Sequence, residues 1–120
     1  MSVEVKTNLG TIDMTNDVIA QVVGEATMEC YGIVGMASQH QIRDGLTDIL
    51  RKENYGRGVV VRRQADGLEI DVYIIVSYGT KISEVAYQVQ SKVQYTVKQM
   101  LALDVKAVNI YVQGVRVTNV

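Results

Sequence analysis

The run from residue 58 to residue 117 limits the possible folds of this chain more than any other part. Val59-Val60-Val61-Arg62-Arg63-Gln64 and the stretch 68–77 both read as strands, joined through Ala65-Asp66-Gly67. Asp-Gly between two apolar runs is a hairpin signal, because both residues tolerate positive φ. In the second strand Leu68, Ile70, Val72, Ile74 and Val76 share one face, while Glu69, Asp71, Tyr73, Ile75 and Ser77 share the other. The first row is wholly apolar, so one side of the sheet carries the main core. Tyr78-Gly79-Thr80-Lys81 then leads into a helix over 81–101, with Thr80 as its cap. Ile82, Val85, Ala86, Val89, Val93, Val97 and Met100 fall on one face of that helix. A last strand, 108–117, sets Val108, Ile110 and Val112 against Asn109, Tyr111 and Gln113, with Gly114 marking a bulge. These periods agree on a core that includes Val72, Ile74, Val85, Val89, Val93 and Ile110.

The N-terminal half is less regular. Val3 and Val5 alternate with Glu4 and Lys6, Asn8-Leu9-Gly10 supplies turn residues, and Ile12 and Met14 resume the alternation. Thr15 or Asn16 caps a first helix with Asp17 in its positive first turn. Val18, Ile19, Val22, Val23, Ala26 and Cys30 make its apolar face, and Gly32 stands where a left-handed helix terminus is expected. Ile33 to Met36 reads as an extended crossing interrupted by Gly35. Ile42, Leu46, Ile49 and Leu50 suggest a short second helix over 42–52, weakened by Gly45. Asn54 to Gly58 reads as a flexible loop. The expectation is one domain over 1–120 of the α+β class, an antiparallel or mixed sheet with a long helix and one or two further helices packed on it.

Composition narrows the chemistry. A chain of 120 residues buries roughly two thirds of its unfolded surface and needs no covalent staple. The net charge of −1 provides no global field for nucleic acid or anionic lipid. One cysteine excludes an intrachain disulfide and fits a reducing compartment, so the chain reads as cytoplasmic. No apolar run reaches the roughly 20 residues of a membrane span, and the N-terminus lacks the layout of a signal peptide.

Each chemical signal has a plainer reading beside it. His40 and Cys30 are the only residues of their types, too few for an ordinary zinc site, so no metal and no cofactor are expected. A Cys30–His40 nucleophile pair is set against Cys30 as a small core residue on the first helix. Gly32-Ile33-Val34-Gly35 spells the GxxG of KH loops, but its middle residues are apolar where a phosphate-facing loop favours polar ones. Tyr78-Gly79-Thr80-Lys81 sits at a strand-to-helix junction suited to an anion, and lacks the glycine-rich length of a P-loop. Arg51, Lys52, Arg57, Arg62 and Arg63 with Tyr55 form a basic patch for RNA, single strands or an acidic partner, or else an ordinary solvated surface. On the long helix Tyr87, Ser91, Tyr95 and Lys98 lie away from the apolar stripe, either as a partner interface or as an incidental polar face.

Four segments carry a family resemblance across essentially the whole chain. They are Gly10-Thr11-Ile12, Tyr31-Gly32-Ile33-Val34-Gly35-Met36, Val76-Ser77-Tyr78-Gly79-Thr80-Lys81-Ile82-Ser83-Glu84-Val85-Ala86 and Val108-Asn109-Ile110-Tyr111-Val112-Gln113-Gly114-Val115. In their order the chain resembles the alkaline-shock-protein-like family of Gram-positive bacteria, and in length its short YloU-like members. The resemblance implies a small α+β domain linked to envelope or alkaline stress, with no catalytic residue to carry over. It also implies protein partners: further copies, a membrane-anchored protein that recruits it, or a neighbouring dihydroxyacetone-kinase-like enzyme that phosphorylates fatty acids. The expected function is a non-enzymatic interaction or scaffold protein that forms homo-oligomers. A nucleic-acid-binding module, or an accessory subunit of the kinase-like enzyme, is the alternative.

Overall fold

The structure, a computed structural model, describes residues 2–38, 49–50 and 52–117, with 52 and 53 described by backbone alone. The chain opens with a hairpin of β1 (Ser2–Thr7) and β2 (Gly10–Thr15), paired from Ser2↔Thr15 to Thr7↔Gly10. Its base is anchored by Val3, buried in the core, while Leu9 at the tip is wholly exposed. Helix α1 (Asn16–Met28) follows at once, because the Thr15 hydroxyl accepts from the Val18 N–H and caps the first turn. It buries Ile19, Ala20, Val23 and Ala26, whereas Val18 stays half in water. The helix closes at Glu29, so Gly32, although at positive φ, lies in the turn before the next strand rather than at the helix end.

The main sheet is built around β5 (Gly67–Ser77). One edge of β5 is shared by two short antiparallel strands: β4 (Val59–Gln64) along its first half and β3 (Ile33–Met36) along its second. The other edge takes β6 (Val105–Arg116) in parallel, from Leu68↔Val105 to Ser77↔Arg116. A parallel neighbour requires a crossover, and helix α2 (Ile82–Leu101) supplies it. The sheet is therefore mixed and the fold is α+β, as the sequence predicts. The register of β6 slips between Val112 and Gly114, so a bulge does lie beside the glycine. Both hairpins close over two residues, and Gly10 and Gly67 take positive φ at the third.

The core lies between one face of the sheet and the two helices. Ile70, Val72, Ile74 and Val76 from β5 meet Val85, Val89, Val93 and Val97 from α2 and Ile19 and Val23 from α1. Ile110 is only partly buried, because it stands on the edge strand β6. At the two ends of α2 the apolar stripe runs past the sheet, leaving Ile82 and Met100 exposed. Thr80 does not cap the helix. Its hydroxyl donates to the Ser77 carbonyl at 2.7 Å, and Lys81 occupies the cap position without a side-chain bond.

Two further expectations meet the structure differently. The second helix over 42–52 falls mostly outside the described residues, and Ile49 and Leu50 are not helical. The loop after it is a 3-10 helix, Lys52–Gly58, held against α1. A Cβ on Gly24 of α1 would stand 2.8 Å from the Cβ of Tyr55, so this glycine allows the close approach that docks Tyr55 on the core.

Candidate interaction surface

Tyr87, Ser91, Tyr95 and Lys98 all point away from the core on α2. Tyr87 is 68% and Tyr95 65% exposed, a large aromatic area left in water on one helix. Lys98 pairs with Asp104 at 2.9 Å across the left-handed turn at Ala102 that ends the helix. Beside this face runs a groove of about 270 Å³ between α2 and the start of β6, lined in part by Tyr87 and Ser91. Gln90 and Gln94 tie the helix to the strand, donating to the Val108 and Val105 carbonyls at 2.9 and 3.2 Å. Among the described strands β6 pairs with β5 alone, and Tyr111, Val112 and Val115 along it are exposed. The tyrosine stripe and the start of β6, 106–108, thus border one groove.

Of the basic patch, Arg57, Arg62 and Arg63 have described side chains. Arg62 is drawn onto the far face of the sheet, where its guanidinium grips both oxygens of Asp71 and reaches Glu69 at 3.0 Å. Asn109 from β6 completes the group, donating to Glu69 and Asp71 at 2.9 Å each. The hydrogen bond from Asn109, then that from Arg62, holds the Glu69 carboxyl below its ordinary pKa, and the bond to Asp71 raises that of Arg62. Arg57 and Arg63 are exposed, while Arg51 and the Lys52 side chain lie outside the described residues. Next to the Arg62 group the rings of Tyr73 and Tyr111 stack with centroids 4.9 Å apart. Sequence reading missed this constellation. Its signal was the row Glu69-x-Asp71-x-Tyr73, too polar for a buried face and too regular for a loose one.

Cys30 is half-buried, its Sγ lies 3.7 Å from the Ala26 carbonyl, and burial pushes its thiol above the usual pKa. His40 lies outside the described residues. Among the described residues no group of three or more His, Cys, Asp or Glu is placed to hold a metal. The GxxG spelling is the turn into β3, with Gly35 buried beneath Ile49 rather than open to a phosphate. No helix among the described residues is long and apolar enough to cross a membrane.

Comparison with known proteins agrees with this architecture. The chain is 66% identical to the uncharacterized protein YloU of Bacillus subtilis (strain 168), over 99% of both chains. It is 45% identical to the uncharacterized protein Spy1614 of Streptococcus pyogenes serotype M6, over 98% of this chain and 97% of that one. Among solved structures the copper form of MamM CTD aligns with a TM-score of 0.50 at 12% identity, covering 87% of this chain and 90% of that one. At that identity the likeness concerns the fold alone. Residues 4–117 match the model of the alkaline shock protein 23 family, described as having a cell envelope-related function. The chain belongs to that family.

Proposed function

We propose that this protein is a non-enzymatic interaction module of the cell envelope, which associates with copies of itself and with protein partners through the outer face of α2. The observation that carries this reading is the pair Tyr87 and Tyr95, 68% and 65% exposed on one helix face beside a strand that pairs, among the described strands, with β5 alone. Tyrosine brings large contact area at low entropic cost and is enriched where proteins meet. Edge strands left unpaired are templates for another chain. The family description supports an envelope setting. Recruitment from the cytoplasm by a membrane-anchored partner, a part in alkaline stress, and service to a kinase-like enzyme are the finer forms of this reading. The nucleic-acid alternative has less support, since Arg62 already spends its charge on Glu69 and Asp71.

Light scattering on the wild type and on the double variant Tyr87→Ala/Tyr95→Ala tests the proposal. The wild type is expected to form a concentration-dependent oligomer and the variant to be monomeric at equal thermal stability. Equal assembly in both, with equal recovery of co-purifying proteins from the native cell, would place the interface elsewhere.

A further inference from the structure

We propose that the groove between α1 and α2 docks a basic, amphipathic segment of a partner protein, with Val22 and Met100 receiving its apolar side chain and Glu25 its cation. This surface is separate from the tyrosine stripe. The groove encloses about 200 Å³, and Val22, Ala26, Thr96 and Met100 contribute to its lining. Met100 is 66% exposed because the α2 stripe overruns the sheet there, and Val18 extends the apolar strip by one turn along α1. Methionine is the side chain best suited to adapt to an incoming apolar group.

The charge around the slot selects the occupant. From Asn8 to Ile42 the sequence contains no Lys or Arg, while Asp13, Asp17, Glu25 and Glu29 all fall within it. Asp17, Gln21, Glu25 and Glu29 recur every four residues, so they form one ridge on α1. Lys92 answers Glu29 at 3.4 Å, and Arg57 shares a groove with Asp17. Glu25 has only the neutral Gln21 amide at 3.4 Å, and no cation among the described residues pairs with it. An apolar slot with an unanswered carboxylate on its rim matches a helix or strand that presents Leu or Phe next to Lys or Arg. An anionic bilayer would be repelled by the same ridge. Packing of α2 from a second copy against the slot would bring Lys92 and Lys98, which are each engaged within the chain.

The test uses a fluorescent Leu/Lys amphipathic peptide, a Ser/Lys peptide of equal charge, and a Leu/Glu peptide, followed by anisotropy. The Leu/Lys peptide is expected to bind and to shift amide resonances within 17–29 and 96–101. Met100→Ser/Glu25→Gln is expected to weaken it roughly tenfold. Both positions are at or near the surface, and Glu25→Lys alone gives a second route: it is expected to turn the preference toward the Leu/Glu peptide. Equal binding of the Ser/Lys or Leu/Glu peptide to the wild type, or unaltered Leu/Lys binding by the variants, would overturn the proposal. Altered self-association in the variants without altered peptide binding would also overturn it, naming a second copy as the occupant.

Discussion

The two faces of β5 are buried to nearly the same degree for opposite reasons. On the inner face Ile70, Val72, Ile74 and Val76 are 0% exposed, sealed by valines from α2 and apolar residues from α1. On the outer face Asp71 is 4% and Tyr73 8% exposed, and among the described residues their bonded and stacked partners come from neighbouring strands. Those partners are Arg62 from β4 and Asn109 and Tyr111 from β6. The inner face is held by non-directional apolar burial, where side chains of similar volume exchange at modest cost. The outer face is held by directional bonds, where removing one member strands another. Around Asp71 the sheet thus satisfies the polar groups of its second side from its own strands.

Substitutions separate the two mechanisms. Ile74→Ala is expected to be the most damaging, about 3 kcal/mol by chemical denaturation, from lost transfer energy and the cavity left behind. Val89→Ala, its partner in the core, should cost on the order of 1–2 kcal/mol by the same route. Arg62→Met is expected to cost about 2 kcal/mol, because it leaves the buried Asp71 carboxylate with Asn109 alone. The double change Arg62→Met/Asp71→Val should recover most of that loss. Recovery would mean the ionic group specifies the register of β4, β5 and β6 more than it stabilises them, and its absence would mean the network is a net source of stability. Tyr111→Ala should cost about 1 kcal/mol for the lost stack with Tyr73.

The smallest effect is on pH dependence. The Glu69 carboxyl sits below its ordinary value of 4.5 in the folded chain, through Asn109 and Arg62. A lowered folded pKa contributes stability that is complete above the ordinary value and is lost as pH falls through the folded one. Melting curves from neutral to acidic pH should thus fall less steeply below about pH 4.5 for Glu69→Gln than for the wild type. Identical slopes would mean the Glu69 bonds are too exposed to matter.

The inner face was legible in the sequence and the outer face was not. Alternation from Leu68 to Val76 and the helical spacing of Val85, Val89, Val93 and Val97 are periodic signals, and both produced the core they predict. The Arg62–Asp71–Glu69–Asn109 group joins three strands through side chains far apart in sequence, which no local period encodes. The Thr80 cap failed because a hydroxyl can bond backward into its turn as readily as forward into a helix. The 3-10 helix around Tyr55 read as a loop because its cause is Gly24, thirty or so residues earlier in the chain and across the packing interface. The tyrosine stripe was visible from the helical wheel alone, and the structure adds what lies next to it, the groove along β6.

Copies of this protein are proposed to meet at the outer face of α2. Amide spectra of the labelled protein across a dilution series address it residue by residue. Concentration-dependent shifts are predicted for 87–98 and for the adjoining groove at 106–108, with the Arg62, Glu69 and Asp71 amides unmoved. Spectra that do not change with concentration, or changes centred on the outer sheet face instead, would contradict it.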